Sequence, residues 1–332
     1  MASKEELPSK VGYVRLGNSG LKVSKIILGC MSYGNKDWAG WVLDEQESLP
    51  HFKAAFDLGI NTWDTANVYS NGDSERIVGK ALKVHNIPRQ DVFMTVAKDP
   101  KAHPSKLTDP DSQGYVNQHG LSRVHIFNSV DASLERMGVD YIDLLQCHRF
   151  DYETPIEETM DALHDVSKVR YIGMSSCYAY QFHKMQAYAS SKNQTQFTEM
   201  FPTCKLFGVG VIPWSPLARG YLTRPWKDQT TTRTETDANF GKFVGLNNER
   251  EQAALRAINE TIQAIAQERG YSMAQIALAY VAGNEHVTAP IVGSTKLESL
   301  EELAKATHIV LTEEERKGIE EHYVPRGVLG HA

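Results

Sequence analysis

The sequence predicts an α/β chain folded as a (β/α)8 barrel of the TIM type, and three observations carry that prediction. Short, nearly continuous apolar runs alternate with helix-patterned segments along most of the chain, as expected where helices cover both faces of a parallel sheet. The turn after the first such run, GCMSYG at 29–34, lacks the G-x-G-x-x-G spacing, and no acidic residue follows where a ribose contact needs one. That disfavours a doubly wound dinucleotide fold. Chemistry-bearing side chains also fall at the C-terminal ends of several runs, where a barrel gathers its active site.

The elements follow in order. VGYVRLGNSGLKVSKI (11–26) reads as an N-terminal β-hairpin with its turn at Gly17, Asn18, Ser19 and Gly20. KIILGC (25–30) is the first barrel strand, LPHFKAAFDLG (49–59) a helix, INTW (60–63) the second strand and SERIVGKALKVH (74–85) the next helix. DVFMTVAK (91–98), YIDLLQCH (141–148), VRYIGMSS (169–176), VGVIPWS (209–215) and TAPIVGS (288–294) supply the remaining strands. These make seven strands where a barrel needs eight. Val209 follows Ser176 by only 33 positions, whereas two helices, a strand and their connections take roughly 43. The region of strand six and helix six is therefore expected to be abbreviated, with QFTEMF (196–201) a substitute strand and Gln196 its amide. An incomplete barrel leaves edge groups unpaired.

The formal charge of −6, from 35 basic and 41 acidic residues, gives no sequence-wide attraction to nucleic acid or anionic membrane. No window approaches the ~18 apolar residues of a membrane span, and the first residues lack a signal core. Cys30, Cys147, Cys177 and Cys204 are scattered without metal-binding or disulfide spacing, which suits reduced thiols in the cytoplasm. The expectation is one domain over 11–325, with tails at 1–10 and 326–332, acting as a monomer or weak oligomer on a small molecule.

The stretch NTWDTANVYS (61–70) places Asp64 at a strand end with Tyr69 five residues on; Lys98 ends the next strand and His148 the one after. Taken singly, Asp64 reads as a cap, Lys98 as a solvated charge and His148 as a core histidine. Together they form one chemistry. A lysine ammonium beside a phenol stabilises the tyrosinate and makes the tyrosine a better acid near neutrality. A carboxylate holds the ammonium by a charge-assisted bond, and a histidine orients a carbonyl oxygen. The set suits protonation of an alkoxide during carbonyl reduction with hydride from a cofactor.

These residues and their flanks resemble the aldo-keto reductases, most closely the fungal members. WDTANVYSNGDSERIVGKAL is similar to the family signature around its Asp and Tyr, VFMTVAK to its Lys strand and YIDLLQCHRFD to its His strand. VRYIGMSS, IPWSPLARGYLT and PIVGSTKLESLEE resemble its cofactor-binding segments. The resemblance, running from about residue 11 to about 320, implies NADPH bound across the barrel mouth and a catalytic tetrad of Asp64, Tyr69, Lys98 and His148, with Tyr69 the general acid. It further implies that Ser175 and Ser176 meet the nicotinamide carboxamide, Ser176 standing where Asn is common. By the same analogy Trp214 stacks on the nicotinamide, and Ser215, Leu217, Arg219, Gly220 and Leu222 form the loop beside the pyrophosphate. Ser294, Lys296 and Ser299 open a helix whose N-terminus suits a 2′-phosphate, although relatives often carry Arg in place of Ser299 and Asn in place of Leu303. Against the family, roughly 15 to 20 residues are missing between Phe197 and Glu199, the expected place of strand six.

Two loops leave alternatives open. Tyr33, Trp38 and Trp41 line an apolar pocket for aromatic or polyketide-like carbonyl compounds, or they pack their own loop. The Thr-rich segment 223–248 is a mobile loop over the cofactor or a solvated insertion. The leading expectation is NADPH-dependent reduction of an aldehyde or ketone. The alternatives are an NADPH-binding regulatory subunit with little turnover, as in potassium-channel β subunits, or an inactive shortened variant.

Overall fold

The helices start where the sequence supplies caps. Asp44 and Glu47 form a capping box at the start of α1 (Glu45–Asp57), and Ser122 caps α3 (Arg123–Met137), which ends on Gly138 with φ 63°. These are seen in the computed structural model, which describes residues 7–98, 109, 111–190, 200–237, 241, 244–246 and 248–325. The other early helices are α2 (Asp73–Val84), α4 (Ile156–Asp165), α5 (Ala179–Ser190) and α6 (Met200–Phe207).

The N-terminal hairpin forms as expected, β1 (Tyr13–Arg15) pairing antiparallel with β2 (Lys22–Ser24). It plugs the N-terminal end of the sheet. Val23 packs there with Ile27, Phe93, Leu144 and Ala289, and the Ser24 N–H donates to Thr62 Oγ1 at 3.1 Å.

The main sheet is wholly parallel. It contains β3 (Ile27–Gly29), β4 (Thr62–Ala66), β5 (Phe93–Lys98), β6 (Ile142–Cys147), β7 (Val169–Met174) and β8 (Ile291–Val292), in the spatial order β7-β6-β5-β4-β3-β8. Its helices share one large core with the strands, in which Phe52, Trp63, Ile126 and Leu278 are buried. The pairing of β3 with β8 joins the two ends of the chain, as barrel closure requires.

Among the described residues closure is incomplete where the sequence is short. The run VGVIPWS does not become a regular strand. Trp214 makes an isolated parallel bridge to Ile291, while the Thr288 and Ile291 N–H groups donate to Val211 and Pro213 oxygens, each at 2.8 Å. Pro213 has no N–H to offer a further neighbour. Among the described residues no strand pairs with the free edge of β7, and Tyr171 and Ile172 on it are 37% and 42% exposed. The substitute strand expected at 196–201 is corrected in part: Met200 and Phe201 open α6, and Gln196 and Phe197 lie outside the described residues. Phe182 of α5 and Cys204 of α6 share a small apolar cluster with Cys177, and Met174, Val209 and Val211 pack against it.

α2 and α3 approach so closely that a Cβ at Gly79 would lie 1.9 Å from the Met137 carbonyl oxygen. Gly79→Ala is therefore expected to cost about 1–3 kcal/mol, read as a lower urea midpoint. An unchanged midpoint would mean that the two helices separate without penalty.

Candidate functional site

All five residues of β4 are buried, so the Asp64 carboxyl enters an apolar layer and is only 5% exposed. Strand register sets it opposite Thr95 of β5, whose hydroxyl donates to Asp64 Oδ1. Burial pushes the Asp64 carboxyl up to about 7, and the Thr95 hydrogen bond opposes that rise. Thr95 has no sequence signature of its own; strand pairing alone identifies it.

Tyr69 follows β4 on a tight 3-10 turn, Tyr69–Gly72, in which Ser70 (φ 47°), Asn71 (φ 53°) and Gly72 (φ 91°) are all left-handed. Its ring stands edge-on to His148, with centroids 6.0 Å apart and planes at 86°. Lys98 ends β5 in register with Cys147, the residue before His148; the Lys98 side chain lies outside the described residues. The ends of β4, β5 and β6 thus bring the backbone positions of all four candidate catalytic residues to one side of the sheet.

The candidate cofactor residues form three further groups. At the end of β7 the Ser175 N–H donates to the Cys147 oxygen at 2.8 Å, and Ser175 Oγ lies 3.3 Å from Ser176 Oγ. Trp214 is 47% exposed, which leaves ring surface for a ligand. Beyond it the chain turns repeatedly through left-handed conformations, at Ser215 (φ 54°), Ala218 (φ 49°), Arg219 (φ 56°) and Gly220 (φ 95°), while the Gly220 and Leu222 N–H groups both donate to the Leu217 oxygen. Strained turns of this kind collect at ligand sites. The third group precedes the helix Leu297–Ala306. There Ser294 Oγ accepts from the Lys296 N–H at 3.0 Å, Lys296 is exposed, and no side chain caps the helix. The Tyr33 hydroxyl donates to the Ser294 oxygen at 3.1 Å, tying the loop after β3 to this group.

Two residues not singled out from the sequence join Arg219. Arg219 Nη1 donates to Asp237 Oδ2 at 2.8 Å, with both side chains nearly buried, and Arg233 Nε approaches the same oxygen at 3.7 Å without a hydrogen bond. Arg233 lies 4.2 Å over the Trp41 ring, and burial followed by the Arg219 charge pulls it down to about 10. Among the described residues two guanidiniums face this one carboxylate, and Arg219 lies within electrostatic reach of the Tyr69 phenol. The arrangement suits an anionic ligand.

For the aromatic loop, the structure selects packing at two of three positions. Tyr33 is fully buried against His51 and Phe52, and Trp41 is 9% exposed beneath Arg233. Trp38 is half-buried against the edge of Trp41, and its buried indole N–H has no partner among the described residues. The Thr-rich segment is not a plain solvated insertion in its first half: Gln229 Nε2 donates to the Tyr221, Arg224 and Pro225 oxygens, and Thr232–Thr236 is a short helix, α7.

Residues 25–324 match the profile of the Aldo/keto reductase family. The chain is 46% identical to the versiconal hemiacetal acetate reductase of Aspergillus parasiticus, an alignment that covers 95% of this chain and 98% of that protein. It is 43% identical to the aldo-keto reductase AFTS1 of Alternaria alternata, over 98% and 95% of the two chains. The same holds at 42%, over 98% and 94%, for the aldo-keto reductase dtxS3 of Metarhizium robertsii. The alignment with the Alternaria protein runs over 355 positions against 332 residues here, so at least 23 (355 less 332) face gaps in this chain.

Proposed function

Since the chain belongs to the aldo/keto reductase family, a family of oxidoreductases that act on carbonyl groups with NAD(P)H, we propose that it reduces an aldehyde or ketone to an alcohol with NADPH. The observation that carries this reading is the edge-on pairing of Tyr69 with His148 beside the buried Asp64.

When bound, the nicotinamide supplies a hydride. The remaining work falls to this chain. His148 and Tyr69 flank the place for the substrate carbonyl, so that His148 orients its oxygen and the Tyr69 hydroxyl gives it a proton as the alkoxide develops. Lys98 lowers the cost of the tyrosinate left behind, and Asp64 with Thr95 backs that lysine. Ser175 and Ser176 would hold the carboxamide and Trp214 the nicotinamide face. Ser215, Leu217, Arg219, Gly220 and Leu222 would follow the pyrophosphate, and Ser294, Lys296 and Ser299 the 2′-phosphate. The paired guanidiniums of Arg219 and Arg233 at Asp237 support capture of the phosphates, and the exposed face of Trp214 leaves room for a stacked ring. The half-buried Trp38 supports an aromatic or polyketide-like substrate, in keeping with a relative named for reducing a hemiacetal acetate. The working form is a cytoplasmic monomer or weak oligomer, consistent with a set of described helices of which none is long and apolar enough to cross a membrane.

The test is a fluorescence titration of the folded protein with NADPH and NADH, followed by turnover on a panel of aromatic aldehydes and ketones. The expected result is at least a tenfold preference for NADPH, with NADPH oxidation coupled to alcohol formation. A folded protein that binds neither dinucleotide overturns the reading. Tight NADPH binding with no turnover on any carbonyl would replace it with the regulatory-subunit reading.

A further inference from the structure

We propose that the buried Arg136–Glu75 ion pair positions the proton donor, by forming the floor of the turn that carries Tyr69. This rests on the reading of Tyr69 as the general acid. Arg136, on the last turn of α3, donates from Nε to Glu75 Oε2 at 2.5 Å and from Nη2 to Ser133 Oγ at 3.1 Å. The Glu75 side chain is completely buried and that of Arg136 is 17% exposed. A pair so far out of water adds little net stability, because desolvation offsets attraction. Its presence calls for a geometric role.

The turn it touches needs support. Three successive left-handed residues, Ser70 to Gly72, follow Tyr69, a conformation that persists only when its surroundings enforce it. On one side Ser70 Oγ accepts the Asn35 N–H at 3.1 Å, and Gly34 is so near that a Cβ there would lie 2.0 Å from Ser70 Oγ. On the other side is Arg136: a Cβ on Gly72 would lie 2.7 Å from its Cδ and 2.9 Å from its Nε. Gly72 is also the N-cap of α2, and Glu75 lies in that helix's first turn. The ion pair therefore fixes Gly72 in height, and with it the Tyr69 backbone three residues earlier. A plain strap between α2 and α3 would be redundant, since the two helices already meet at Gly79 and Met137.

The test is the double variant Glu75→Gln/Arg136→Met, which removes both charges and strands neither. Its thermal melt establishes that it folds. Two readouts follow: steady-state reduction of a carbonyl that the unmodified protein turns over, and amide hydrogen exchange of residues 69–73. The expected result is a kcat about 10- to 100-fold lower, as for a donor displaced by about an ångström, with KM for NADPH within about twofold and faster exchange confined to the turn. Unchanged kcat, or exchange that rises along α2 and α3 instead, overturns the proposal in favour of a helix strap. If the unmodified protein reduces no carbonyl, the reductase reading fails on its own, and exchange at 69–73 alone decides whether Arg136 holds the turn.

Discussion

Tyr69→Phe is expected to lower kcat for carbonyl reduction by about 10²- to 10⁴-fold, the range that a positioned general acid contributes, while the Kd for NADPH stays within about twofold. The aromatic ring is retained, so the edge-on contact with His148 and the packing on Ala66 and Val68 survive; only the transferable proton is lost. The check is to measure both constants on the same preparation. A variant that keeps its rate would show that another group protonates the alkoxide. One that loses cofactor binding would show that the hydroxyl holds the ligand instead of reacting.

Asp64→Asn is expected to lose turnover and gain stability. Burial raises the Asp64 carboxyl from 3.8 to about 7, so between those pH values the folded protein holds a proton that the unfolded chain has released. Stability contributed by this group therefore falls as pH rises through that window, and the full cost stands above pH 7. At about 1.4 kcal/mol per unit, it reaches about 4 kcal/mol. Asparagine keeps an oxygen for the Thr95 hydroxyl and carries no charge to desolvate. Urea midpoints should show a gain of about 1–2 kcal/mol at pH 5 that grows to about 3–4 kcal/mol at pH 8. A gain that does not grow with pH would mean that Asp64 keeps one charge state over this range and that burial does not govern its titration.

Much of the site is legible in the sequence because a barrel strand announces its own end. Asp64, Lys98 and His148 each terminate an apolar run, and Tyr69 follows within one turn. Thr95 is not legible, because its role comes from lateral register with Asp64, and nothing in a single strand records which neighbour it will face. Arg136 and Glu75 stand 61 positions apart on helices that read as ordinary amphipathic segments. The carboxylate that holds Arg219, Asp237, lies in a Thr-rich stretch whose composition suggests solvent. Pro213 explains the opposite kind of miss: VGVIPWS is apolar enough to be a strand, yet it carries a residue that cannot donate to a ladder, and only an isolated bridge forms. The abbreviation of this region is legible as arithmetic, because too few residues separate Ser176 from Val209, and no described strand pairs with the outer edge of β7.

The edge of β7, which no described strand covers, also bears on how the molecule comes apart. In a closed barrel every strand is hydrogen-bonded on both sides, so no segment leaves without breaking two ladders. Here the section from Val209 to Val292 is stitched into the sheet along one side, through Ile27 and Leu28 to Ile291 and Val292. Its other attachments are the small cluster of Cys177, Phe182 and Cys204 and the large core that Ala274 and Leu278 enter. Regions joined to a sheet by few hydrogen bonds open ahead of those joined by many. This section carries Trp214 and Arg219, while Asp64, Tyr69 and His148 stand on the continuous half. Under the proposed function, local opening would release a dinucleotide while leaving the candidate proton-transfer groups folded, so that ligand residence time and acid strength become independently adjustable properties of one chain.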